Sequence, residues 1–251
     1  MTLLADIGNS RLKWATARAT GLAEQGALEY RSEGLAHALE AAWARVKKPT
    51  RLVVSNVAGE TAAAILTGWS LGRWGVTPEL VVAREAACGV RNAYAEPGRL
   101  GADRWAALIG AWSLHHRALC VVDFGTAVTL DAVSAQGEHL GGLILPGLAL
   151  MRRSLIEGTE GVRPVGDADV ALLARNTAGA VSAGTLYTLV AAVDRIAGDV
   201  AAEMEGPMEQ LITGGDAALI LPLLAGRWTH HPDLVLQGLA ALALEGAVSP
   251  R

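Results

Sequence analysis

Asp6 and Asp123 are the residues whose type and setting best suit them to hold a charged ligand. Each closes an apolar run and is followed by one hydrophobic residue and a glycine, in "LLADIGNS" (3–10) and "VVDFGTAV" (121–128). Glycine lets a phosphate approach the backbone and offers an N–H donor, while a neighbouring carboxylate can hold hydrated Mg²⁺ against that phosphate. A single Asp-x-Gly is equally ordinary turn chemistry. Two copies, each after a buried run and each followed by small polar residues (Asn9 and Ser10, or Thr126), point to a nucleotide polyphosphate clasped from two sides. A third cluster is Gly101-Ala102-Asp103-Arg104. Its carboxylate could accept the proton of an attacking hydroxyl while the guanidinium anchors an anionic substrate. The same four residues also suit a helix start with Asp in the capping turn, and the residues alone leave both readings open.

Other phosphate-binding designs do not fit. A P-loop needs Gly-Lys, and Lys13, Lys47 and Lys48 all lack a preceding glycine. No G-x-G-x-x-G occurs, so a dinucleotide fingerprint is absent, and "DFG" at 123–125 lacks the H-R-D triplet of a protein kinase. The pairs His115–His116 and His230–His231 have no Cys or acidic residue at a recurring ligand spacing, so they read as solvated or helix-end histidines. Cys88 and Cys120 read as reduced, structural thiols.

The elements around these residues form two similar cycles. Residues 2–7 read as a buried strand, and Leu12, Trp14 and Ala15 alternate with Lys13 and Thr16 in a returning strand. A helical pattern over 33–46 and a strand over 51–59 complete an α/β unit. The order restarts at 118–134 with strand, Asp-Gly turn and alternating strand. A glycine-rich strand (141–147), a long helix (176–204) and a strand ending in glycines (211–217) follow. The expected division is 1–117 and 118–251, a weak internal duplication.

The 251 residues, 51% hydrophobic and only 4% aromatic, can bury a core without disulfides or metals. A net charge of −4 argues against nucleic-acid or anionic-membrane binding, which needs basic surface. The longest apolar run, "LGGLILPGLALM", is short of a membrane span and broken by Pro146 and glycines, and Asp6 interrupts the early apolar run, so a cytoplasmic location is expected.

Taken in order, "DIGNSRLKWA" (6–15), "GADRWAALIGAW" (101–112), "DFGTAVTLD" (123–131), "GGLILPG" (141–147), the Asn176–Thr177 segment and "TGGDA" (213–217) resemble the motif set of type III pantothenate kinases. The resemblance runs from residue 4 to about residue 240. It implies the fold of the acetate and sugar kinase, heat-shock chaperone and actin superfamily: two ribonuclease H-like α/β domains with the active site in the cleft between them. The reaction implied is ATP-dependent phosphorylation of pantothenate to 4′-phosphopantothenate, the first step of coenzyme A biosynthesis, in a homodimer.

The site residues implied by the resemblance are these. Asp6, Ile7, Gly8, Asn9, Ser10, Arg11, Leu12 and Lys13 take the ATP phosphates, with Asp6 aiding Mg²⁺ and Lys13 neutralising developing charge. Thr126 meets the phosphates from the second hairpin, Asp123 helps hold a monovalent cation, potassium or ammonium, and "TGGDA" lines the adenosine. Asp103 becomes the base, Gly101, Ala102, Asp103 and Arg104 the pantothenate loop, and Tyr94 and Thr177 further substrate contacts. The rivals are a kinase of the same superfamily acting on another small hydroxy acid, and a regulatory protein that keeps the fold and acts through a partner.

Overall fold

The computed structural model describes residues 1–18, 21–30, 34–163, 171–204 and 206–246. Two compact units result. The first comprises Met1–Arg117, Val133–Gly141 and the described part of Asp233–Arg251; the second comprises the described residues of Ala118–Ala132 and Gly142–Pro232.

In the first unit β1 (Thr2–Ile7), β2 (Arg11–Arg18) and β3 (Gly21–Glu29) run as an antiparallel meander, because three- and two-residue connections allow nothing else. After α1 (Leu35–Trp43), β4 (Arg51–Asn56) returns parallel to β1; α2 (Glu60–Trp74) then leads to β5 (Glu79–Leu80). The sheet order is β3-β2-β1-β4-β5. One sheet face, with Leu3, Ala5, Ile7, Leu12, Leu52 and Val54, packs on α1 and α2. Trp43, Trp69 and Trp74 interlock there with ring centroids 4.8 to 5.5 Å apart. Strand alternation turns Leu4, Asp6, Val53 and Ser55 to the other face.

That other face belongs to α3 (Ala102–His115), which follows the small hairpin β6 (Ala86–Ala87) and β7 (Val90–Arg91). Cys88 and Gly89 form the hairpin's two-residue turn, both with positive φ (50° and 82°), as a type I′ turn requires. His116 caps α3 in the left-handed conformation with its N–H on the Trp112 carbonyl, which makes the first histidine pair a helix end.

The second unit repeats the plan. β8 (Leu119–Phe124), β9 (Ala127–Val133) and β10 (His139–Pro146) are followed by α4 (Leu148–Gly158), α5 (Thr177–Glu203) and β11 (Glu209–Thr213), which is parallel to β8. The short α6 (Ala217–Ile220) and β12 (Trp228–His230) finish it, and the order β10-β9-β8-β11-β12 reproduces that of the first sheet. α5 is long and apolar enough to cross a membrane, but half of that apolar window is buried, with Leu186, Leu189, Val190 and Val193 in the second unit's core.

The simple division at residue 117 needs correction in two places: residues 133–141 and the final helix α7 (Leu234–Glu245) belong to the first unit. Gly137 sits where any Cβ would fall on the Gly89 carbonyl oxygen, and the Arg91 N–H donates to the Gly137 carbonyl at 2.9 Å. α7 lies against α3 so closely that a Cβ on Gly238 would be 2.5 Å from the Ala106 carbonyl carbon, and one on Gly110 would be 2.9 Å from the Gly238 nitrogen. Glu245, the last residue of α7, accepts from the Cys88 N–H at 2.8 Å and the Cys88 thiol at 3.2 Å. Burial first, and then that carboxylate, push the thiol up to about 12, so it remains a donor. Residues 247–251, which the sequence reading assigned to the second domain, lie outside the described residues.

Candidate active site

The first hairpin places its residues by strand register. Asp6 is paired with Lys13 across the antiparallel β1–β2 ladder and with Ser55 across the parallel β1–β4 ladder, so all three share the face that α3 and α7 cover. Asn9, Ser10 and Arg11 are exposed on the turn. The side chains of Ile7 and Leu12 are fully buried in the core opposite, which leaves only their backbone for a ligand. Gly8 has no positive φ, and a Cβ on it would meet the Arg11 oxygen at an ordinary 3.5 Å. Nothing within the fold demands glycine there, consistent with a site that an external group must approach closely.

α3 begins on the same face. Gly101 is its N-cap and Asp103 lies in its first turn, with one carboxylate oxygen accepting from the Arg104 N–H at 2.7 Å. A Cβ on Gly101 would sit 2.6 Å from that oxygen, so the missing side chain leaves room for the carboxylate. The helix-start reading and the chemical reading therefore coexist in one residue: Asp103 is at a helix N-terminus, where the backbone dipole favours an anion. Arg104 is only 6% exposed. Its guanidinium donates to the Tyr94 hydroxyl at 3.0 Å and lies 5.8 Å from that ring's centroid. Tyr94 is in turn stacked on buried His139, and the Asn92 side chain receives the Tyr94 N–H at 3.0 Å while donating to the Pro97 carbonyl at 3.2 Å. Tyr94, Asp103 and Arg104 are thus brought together.

In the second unit Asp123 is the last residue but one of β8, Thr126 is exposed on the turn, and Asp123 pairs in parallel register with Thr213. The turn is pinned by glycines. A Cβ on Gly147 would lie 2.6 Å from the Thr126 oxygen, whose carbonyl accepts the Gly147 N–H at 3.1 Å. Gly214, at φ 102°, lies against the Phe124 backbone. Asp216, next in the same loop, has its carboxyl raised above the ordinary value, by burial first, with the Arg152 charge opposing. Thr177 is exposed at the start of α5, beside the Asn176 cap, whose side chain accepts from the Gly179 N–H at 2.7 Å.

Residues 2–199 match the family profile described as type III pantothenate kinase. The chain belongs to the type III pantothenate kinase family. It is 45% identical to a type III pantothenate kinase of Nitrosococcus oceani, over 97% of this chain and 94% of that protein, and 41% identical to one of Azoarcus sp., over 98% and 92%. Among solved structures, a conserved protein from Campylobacter jejuni described as a Baf family transcriptional activator covers 98% of both chains with a TM-score of 0.63 at 21% identity. A protein of Sinorhizobium meliloti described as a 2-dehydro-3-deoxygalactonokinase gives 0.57 at 15% identity, over 97% of this chain and 99% of that one. These two likenesses carry the fold, a duplicated α/β architecture of the actin-like ATPase and sugar kinase type.

The structure also singles out residues of this pantothenate kinase family member that the sequence reading passed over. Ser55 and Thr213 are buried hydroxyl residues at 0% and 1% exposure, each in register with one of the two hairpin aspartates. The Ser55 hydroxyl has no hydrogen-bond partner among the described residues. Comparing the ends of the fourth strand in each half, "LVVSN" in β4 and "QLIT" in β11, would have exposed this pairing. Asn92, His139 and Tyr30 carry no comparable signal.

Proposed function

We propose that this chain transfers the γ-phosphoryl group of ATP to the hydroxyl of pantothenate, giving 4′-phosphopantothenate at the entry to coenzyme A biosynthesis. The observation that carries the reading is the shared face of the first unit, where Asp6 and Lys13 stand in register on the sheet and Asp103 opens the helix that covers it. In this scheme Asp103 accepts the proton of the attacking hydroxyl, Arg104 pairs with the pantothenate carboxylate, and Tyr94 holds Arg104 in place. The Asp6–Lys13 hairpin and Thr126 take the phosphates, and Lys13 offsets the charge that develops as the phosphoryl group moves.

Asp6 would hold Mg²⁺, directly or through a water, and the donor set suits that ion: a carboxylate at a glycine turn beside a buried hydroxyl with no hydrogen-bond partner among the described residues. Held there, Mg²⁺ would supply charge neutralisation to the ATP phosphates. Asp123 supplies a hard oxygen for potassium or ammonium, and its register partner Thr213 offers a second.

A homodimer is supported by β10, an edge strand of the second sheet that exposes Leu140, Leu143 and Ile144 at 56%, 47% and 65%. We place the reaction in the cytoplasm, consistent with the two unpaired cysteines.

The test is a coupled ADP-release assay with and without pantothenate. Asp103→Asn keeps the shape but cannot take the proton, and it is expected to lower kcat by about 10²–10⁴-fold with ATP affinity retained. Wild-type ADP release independent of pantothenate would overturn the substrate assignment. Unchanged kcat in Asp103→Asn would remove that residue from the role of base.

A further inference from the structure

We propose that Tyr30 is a positioning residue of the phosphate hairpin: its hydroxyl holds the Gly8 carbonyl and so turns the Asn9 N–H outward, toward the polyphosphate. The inference rests on the reading that the Gly8–Arg11 turn receives the ATP phosphates, and it adds a residue that neither the motif nor its spacing contains.

Tyr30 directly follows β3, whose last residue, Glu29, is paired with Arg11. Two bonds tie it to the turn. Its N–H donates to the Ser10 carbonyl at 3.0 Å, and its hydroxyl donates to the Gly8 carbonyl at 2.5 Å. The Gly8 N–H is already used, donating to the Arg11 carbonyl at 3.0 Å. Burial first, and then the Asp6 charge, raise the phenol's pKa above its ordinary value.

The geometry of the peptide unit supplies the rest. The Gly8–Asn9 bond is trans. In a planar trans peptide the C=O of one residue and the N–H of the next point in opposite directions. Fixing the Gly8 carbonyl on Tyr30 therefore aims the Asn9 N–H away from Tyr30. A residue before this peptide that carries no Cβ rotates freely, so without an anchor the unit can flip. The flipped form would present a carbonyl oxygen to the phosphates, an anion facing an acceptor in place of a donor. In the second hairpin the carbonyl that is held is that of Thr126, one residue past the glycine, and a backbone donor, the Gly147 N–H, holds it. In the first hairpin a side chain does that work, and a side chain can be removed.

The experiment measures binding of ADP, a non-hydrolysable ATP analogue and adenosine to the full-length protein with Mg²⁺, for wild type, Tyr30→Phe and Asp6→Asn. Tyr30→Phe is expected to weaken the two polyphosphates by about 10- to 150-fold, the range of one hydrogen bond to a charged group, and to leave adenosine within about twofold. KM for ATP should rise with KM for pantothenate unchanged. Wild-type affinity for all three ligands overturns the inference. So does a loss that is equal for adenosine, because a merely structural tyrosine would not discriminate by phosphate.

Asp6→Asn separates the two levels of the argument. If it weakens the polyphosphates while Tyr30→Phe does not, the hairpin reading stands and the tyrosine assignment falls; if neither variant changes them, the hairpin reading itself fails. A measurement on the unaltered protein guards against a variant that folds poorly. The Asn9 amide resonance is expected to shift with ADP and stay in place with adenosine, and an Asn9 amide indifferent to ADP overturns the inference.

Discussion

Replacing Gly238 by alanine tests whether close approach of α7 to α3 holds the first unit together. A Cβ at 238 would stand 2.5 Å from the Ala106 carbonyl carbon and nearer still to its oxygen. Ordinary carbon contacts are about 3.5–4.0 Å, so one helix must retreat by about 1 Å, and backbone atoms cannot rotate aside as a side chain would. Overpacking of this kind costs about 3 kcal/mol, against which alanine returns about 1 kcal/mol of helix propensity. The net loss of about 2 kcal/mol corresponds to a fall in Tm of roughly 4–8 °C for a chain of this size. Gly68 is the internal control, because it is exposed inside α2 with no atom of the described residues within 4 Å of an added Cβ. Gly68→Ala should raise stability by about 0.5–1 kcal/mol, or Tm by roughly 1–4 °C. Both are read by thermal denaturation followed by circular dichroism under identical conditions. If Gly238→Ala melts no lower than Gly68→Ala, the close-approach argument is wrong.

Gly101→Ala should lower kcat by at least about tenfold at unchanged Tm, because the new methyl group displaces the Asp103 carboxylate oxygen while the backbone (φ −54°, ψ 139°) accommodates alanine. Wild-type turnover would show that the carboxylate placement is not needed. Asp216 has a raised folded-state pKa, so the native state binds more protons and loses stability as pH rises from the ordinary value of 3.8 through the folded value. Asp216→Asn should therefore melt higher than wild type at pH 7, with the gap closing below about pH 4; an unchanged gap across urea melts at both pH values would contradict this. Asp123→Ala should flatten the potassium activation curve as well as lower the rate, and a wild-type curve in the variant would put the cation elsewhere. Finally, if Thr177 serves a site with Asp103 of the partner subunit, co-expressed Asp103→Asn and Thr177→Val chains should recover roughly a quarter of wild-type activity, half the dimers having one intact site of two. No recovery would confine Thr177 to its own chain's site.

The strands of both hairpins, β4, β11 and α5 were legible because their apolar periodicity is local and strong. β3 was not, since it is an edge strand whose residues are mostly exposed or half-buried and carry no clean alternation. α2 is blurred by Gly68 and Gly72, which cost helix propensity without packing against anything. The return of residues 133–141 and α7 to the first unit depends on Gly137, Gly110 and Gly238, and a glycine required by a backbone distant in the chain looks in sequence like any other. In the candidate site, the aspartates were visible through the residues next to them in the chain. Tyr30, Asn92 and His139 gain their positions from register and tertiary contact, which no spacing encodes.

The placement of α7 also bears on how a ribosome must make this protein. The second unit lies wholly within residues 118–232, so its segments have all been synthesised before α7 is translated. The first unit, although begun at residue 1, lacks the helix that covers Ala106 and Gly110 until the chain has passed Glu245. At about 5–20 residues per second, α3 waits on the order of ten seconds with its apolar side uncovered. Vectorial synthesis therefore completes the later half first, and nascent chains stalled between residues 118 and 233 should be the ones that recruit chaperones.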